Sequence, residues 1–138
     1  VITNYLATIQ VLHASPGIRL IALGGEYFPS HDSFTGIVCE GSIAALRADI
    51  FLMSTSAVSH GVAYHQEQEI VAVKRAMLRA AAKRVLLIDH GKLGKTALHR
   101  LADLSEFDLV VVDDGVDAAG LRVLEDARTN YAVAPRQG

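Results

Sequence analysis

The chain reads as an α/β protein, a three-layer sandwich with a mainly parallel sheet. Three observations predict it. Short apolar runs alternate with segments of helical period along the whole chain. The runs are apolar on successive residues rather than on alternate ones, the pattern of parallel strands covered on both faces. Each run closes in a loop of small, hydroxyl or acidic residues, where strands of such sheets hand over to their crossovers.

The elements follow in order. Val1-Ile2-Thr3 reads as the end of a strand with no initiator methionine before it. The chain is therefore expected to be a fragment whose upstream sequence is missing. Asn4 is placed to cap a helix over residues 5–13. Residues 18–23 (IRLIAL) form a strand closed by Gly24-Gly25, and residues 36–46, small and apolar, form a helix. Residues 49–53 (DIFLM) are the next strand. The longest helix runs over residues 67–83, with Ile70, Val73, Met77, Leu78 and Ala81 at helical spacing. Strands over residues 84–88 (RVLLI) and 109–112 (LVVV), a helix over 118–127 and a fifth strand over 131–133 complete the pattern.

The 138 residues suit one domain, long enough to bury a core without disulfides or metal. Just over half are apolar and a fifth are charged, a globular balance. The net charge of −2 argues against a nucleic-acid surface on this chain itself. The single cysteine, Cys39, allows no internal disulfide and suits the reducing cytoplasm. It reads as a buried small apolar residue. No apolar run approaches a membrane span, and the N-terminus lacks the pattern of a signal peptide.

In a sheet of this kind ligands sit beyond the carboxyl ends of the strands. The residues there are Gly24-Gly25, Ser54-Thr55-Ser56, Asp89-His90-Gly91-Lys92 and Asp113-Asp114-Gly115. Hydroxyls, exposed amides and a lysine suit an oxyanion. The candidate ligand-binding residues are Ser54, Thr55, Ser56, Lys74, Asp89 and Lys92. Each has a plainer alternative. Lys92 is either a point charge on a phosphate or a solvated loop lysine. Lys74 either reaches the pocket or lies on the surface. Asp89 either orients Lys92 or caps its loop, and the three hydroxyls either meet a ligand or satisfy their own turn. Gly24-Gly25 reads as a tight turn, and Asp113-Asp114-Gly115 as a turn rather than a metal site. The six histidines are scattered without zinc spacing, although His60 and His65 share one loop. No metal, cofactor or catalytic residue is expected.

At these strand ends the sequence resembles the C-terminal sensor domain of the DeoR family of transcriptional repressors. The resemblance is carried by Thr3-Asn4-Tyr5-Leu6, Gly24-Gly25, Ser33-Phe34-Thr35-Gly36, Ala48-Asp49-Ile50-Phe51 with the polar loop after it, and Gly61-Val62. Lys74-Arg75-Ala76-Met77, Asp89-His90-Gly91-Lys92-Leu93-Gly94 and the run from Phe107 to Asp113 complete it. Each motif is weak alone; their order over nearly the whole chain is specific. The resemblance implies a fold like ribose-5-phosphate isomerase and the CoA transferases. It implies a sensor of a phosphorylated sugar or related metabolite, residues 1–138 being its effector-binding domain. It also implies a winged helix-turn-helix upstream, through which alone operator DNA would be held, and a homo-oligomer to match operator symmetry.

The chain departs from the family pattern. Asp89-His90-Gly91-Lys92 replaces Asp-x-Ser-Lys, so a hydroxyl is lost. The usual glycine-rich loop reads Met53-Ser54-Thr55-Ser56-Ala57. The family's first strand and its Gly-Thr-Thr loop would precede Val1. Two other classes share the fold: a sugar-phosphate isomerase and a ligand-free oligomerisation domain. The isomerase needs a carboxylate base, but Lys74 stands where the resemblance places that glutamate, and no Asp or Glu occurs between Ile50 and Gln66. The sequence therefore points to a binding domain rather than an enzyme.

Overall fold

The structure, a computed structural model, describes residues 1–135. The chain runs through β1 (Ile2–Thr3), α1 (Leu6–Leu12), β2 (Ile21–Ala22), β3 (Glu26–Phe28), β4 (Ser33–Thr35), α2 (Gly36–Ala44) and β5 (Ala48–Met53). It continues through β6 (Ala57–Ser59), β7 (Val62–His65), α3 (Gln68–Ala80), β8 (Ala81–Ile88), β9 (His99–Asp103), β10 (Leu109–Asp113), α4 (Ala118–Asp126) and β11 (Tyr131–Ala134). Short 3-10 turns lie at Pro29–His31, His90–Lys92 and Leu104–Glu106.

The architecture is α/β, with a central four-stranded sheet in the order β11-β10-β8-β5, all parallel, flanked by helices. Its four carboxyl ends therefore share one edge. Phe51, Met53, Leu86, Ile88, Val110 and Val112 lie on one face of it, as the strand register requires. That face builds the main core with Val71 and Leu78 of α3, Leu124 of α4, and Leu101 and Leu104. A second, smaller core joins Leu23, Cys39 and Ile43 to Val73 and Ala76 on another stripe of α3. The long helix thus serves two cores, which explains why five of its residues are buried. Cys39 is fully buried, as its small apolar character predicts.

The structure corrects several local expectations. Asn4 does not cap the first helix: its amide nitrogen donates to the Phe34 carbonyl at 2.8 Å, and Tyr5 occupies the cap position. The strand expected over residues 18–23 shortens to Ile21–Ala22, because its partner β1 is only two residues long. The longest helix stops at Ala80, and Ala81 is already extended, captured by its ladder pairing with Ala48 of β5. Two small antiparallel sheets, β3-β4 and β6-β7-β9, had no counterpart in the sequence reading. The turn of the second uses His60 and Gly61, both at positive φ. Burial of the parallel sheet on both faces holds only in part. On the second face Val85 is buried, but Ile50, Leu52 and Leu87 are 56%, 60% and 41% exposed.

Candidate functional site

The site forms where β5 and β8 end. β5 runs into Ser54-Thr55-Ser56, and β8 runs into the turn that carries Asp89 and Lys92. Both loops are tied to the small sheet. The Thr55 hydroxyl donates to the Tyr64 carbonyl at 2.5 Å, and the Ser56 amide donates to the same oxygen. The Gly94 amide donates to the Val58 carbonyl at 2.8 Å, and Gly94 holds a φ of +75° that suits glycine. These bonds hold the two polar loops side by side.

Lys74 reaches this edge from the middle of α3. Its Nζ donates to the Ser54 carbonyl at 2.5 Å. Burial and the nearby charge of Lys92 lower its pKa to about 8. It is therefore mostly protonated at neutral pH, a cation at the edge of the sheet. Lys92 is half-buried and pairs with Asp89 at 3.2 Å, three residues earlier. The structure so brings Ser54, Lys74, Asp89 and Lys92 together. Thr55 is buried with its hydroxyl proton committed to the fold, Ser56 is half-buried, and Ser54 is exposed. Asp89 both pairs with Lys92 and accepts the Lys92 amide on its own carbonyl.

Sequence reasoning missed three residues here. His65, at the end of β7, is 3% exposed. Its ring lies 5.0 Å from that of His31, and β7–β9 register sets it beside His99. Burial, then the charges of Lys74, His31, His99 and Lys92, lower its pKa to about 4. No carboxylate is among the groups acting on it. Such convergence was invisible in sequence, because the three histidines lie on segments more than thirty residues apart at either side. His60, the loop neighbour of His65, turns instead to the Ser59 hydroxyl at 2.7 Å. Among the described residues no group of three or more His, Cys, Asp or Glu is arranged to hold a metal ion.

A second link ties the Asp89–Lys92 turn to the end of β10. Asp113 accepts from the His90 amide at 2.6 Å and contacts its Nδ1 at 2.7 Å. The hydrogen bond to His90 holds the Asp113 carboxyl below its ordinary pKa. Asp113 thus does more than form a turn: it fastens two strand-end loops to one another. At Gly24-Gly25 the expected positive φ holds at Gly25, in a bend rather than a hydrogen-bonded turn. Its φ is +143°, and a Cβ there would collide with the Thr35 carbonyl and crowd Cys39.

The chain's residues 1–114 match the family model described as the DeoR C terminal sensor domain. The chain belongs to this family. The sensor domain is 34% identical over 110 residues to the deoxyribose operon repressor of Escherichia coli strain K12, covering 78% of this chain and 43% of that protein. It is 30% identical over 114 residues to the L-fucose operon activator of Haemophilus influenzae, covering 82% and 46%. It is 28% identical over 127 residues to a putative aga operon transcriptional repressor of Escherichia coli O157:H7, covering 91% and 47%. The sensor domain thus spans about half the length of these curated relatives. No helix among its described residues is long and apolar enough to cross a membrane.

Proposed function

We propose that this sensor domain belongs to a cytoplasmic DNA-binding transcriptional regulator and binds a phosphorylated sugar or related metabolite without chemical turnover. The observation that carries the reading is the convergence of Lys74 and Lys92 beside Ser54, with Asp89 as the paired acid. Two cations at the carboxyl edge of a parallel sheet attract an oxyanion, and exposed loop amides orient it. Ser54, Thr55, Ser56, Lys74, Asp89 and Lys92 form the proposed contact set, Thr55 acting through its backbone because its hydroxyl proton is committed. The names of two relatives refer to fucose and deoxyribose operons, which favours a sugar-derived effector. Lys74 in the isomerase's base position disfavours the enzymatic alternative.

The effector acts by linkage. It binds one conformation more tightly and so shifts a homo-oligomer and the DNA-binding domains attached to it. The proposed domain is completed by a strand from outside residues 1–138, upstream of which lies the helix-turn-helix. Two features favour that strand. β1 pairs only with β2 and β5 only with β8 among the described residues, so each leaves one edge open. One cavity is lined by residues of both, Ile2 of β1 and Ala48 and Ile50 of β5, together with Leu23 and Met77. An apolar strand in it would join both parallel sheets. Thermal-shift screening of aldose and ketose phosphates on the intact protein, followed by turnover assays, tests the reading. A stabilising sugar phosphate without turnover is expected. Isomerisation above background, lost on mutating Lys74 or Lys92, would replace this reading with an enzymatic one.

A further inference from the structure

The histidines beside the lysine pair have no role in the contact set above, yet their placement is specific. His65 is 3% exposed, and its Nδ1 accepts the Glu67 amide at 3.1 Å. That bond assigns the ring proton to Nε2, leaving a donor of set tautomer on a rigid strand end. His31 faces it at 5.0 Å with the rings tilted by 52°, and is itself stacked on Phe28 at 5.9 Å. His99 pairs with His65 across the β7–β9 ladder. Lys74 and Lys92 add charge from α3 and the Asp89–Lys92 turn. Two residues from His31, the Ser33 hydroxyl is buried and has no hydrogen-bond partner among the described residues. The groups acting on His65 are two ammonium groups and two imidazoles, with no carboxylate among them, and such a crowd of N–H donors and cations is the environment that a bound oxyanion completes.

We infer that His31, His65 and His99 are the imidazole donors of the oxyanion site whose charge Lys74 and Lys92 supply, and that they select a tetrahedral anion of the phosphate-monoester class. This rests on the sensor reading above and adds the residues that set its specificity. The lysines attract the anion from solution; the imidazoles fix its orientation. The low pKa of His65 agrees with a site built around a charge that is not its own. A bound anion offsets the repulsion by Lys74, His31, His99 and Lys92, so binding raises the pKa of His65.

The test uses the intact protein and inorganic phosphate, with chloride at equal ionic strength as the control. Imidazole ring signals are followed by NMR during the titration. Signals of His31, His65 and His99 should move with one dissociation constant, while those of His13 and His60 stay still. His65→Gln should weaken phosphate binding about tenfold or more. Should that buried substitution fail to fold, half-buried His31→Ala carries the same expectation. Phosphate binding that Lys74→Met and Lys92→Ala weaken, with silent histidine rings and unchanged affinity in His31→Ala, overturns this inference and leaves the sensor reading standing. Phosphate binding indifferent to the lysines, or none, overturns both.

Discussion

Lys92 shows what a single side chain contributes to the proposed site. Its loop is held by the Gly94 amide on Val58, so the ammonium group is presented rather than free to wander. A hydrogen bond to a charged group is worth roughly 1.5–3 kcal/mol. Lys92→Ala should therefore weaken effector binding about tenfold to a hundredfold by calorimetry, with Lys92→Arg restoring only part because the planar guanidinium needs other geometry. His65 predicts a different signature. Its native pKa lies near 4, below the unfolded value of 6.5, so the unfolded chain takes a proton that the native ring refuses. Stability is then full above pH 6.5 and falls as pH drops towards 4, by about 3 kcal/mol from this group. Urea titrations at pH 7 and pH 4.5 measure it, and His65→Gln should remove most of that slope. An unchanged slope would show that the ring is not held neutral. Of these two residues, the sequence places only Lys92 in the ligand-binding set, because it follows a recognisable strand. The histidines required the antiparallel sheet, whose strands of three to five residues carry little periodic signal.

At the scale of elements, the parallel strands were legible because each is a continuous apolar run, and α3 because its apolar stripe repeats at helical spacing. Boundaries were less legible where one element captures the residues of another. Ala81 has helical propensity but joins the ladder opposite Ala48, and Asn4 leaves its capping role for the Phe34 carbonyl. Tertiary pairing outweighed local preference in both. The loops are coupled in a way that can be broken with one methyl group. A Cβ at Gly115 would come within 2.5 Å of the His90 ring. Gly115→Ala should push that ring off Asp113 and loosen the Asp89–Lys92 turn. Faster amide exchange across residues 89–94, with a weaker effector, is the expected result. Unchanged exchange there would show that the His90–Asp113 link does not hold the turn.

For the whole molecule, the two open strand edges and the exposed Ile50, Leu52 and Leu87 describe a sheet that ends in mid-air among the described residues. Exposed apolar sheet surface of this kind calls for a cover. A longer chain containing the proposed strand should slow amide exchange along β1 and β5 and raise the melting temperature; identical protection in both lengths would count against it. Residues 1–138 alone should show no sequence-specific DNA binding, given the net charge of −2. A sequence-selective gel shift from this chain would place the DNA contact here. The most direct test of the central claim is calorimetry of sugar phosphates on the intact protein, wild type against Lys74→Met and Lys92→Ala. The account predicts a saturable phosphorylated ligand whose affinity falls in both variants. Equal affinity in all three proteins, or a panel in which no phosphorylated sugar binds, would contradict it.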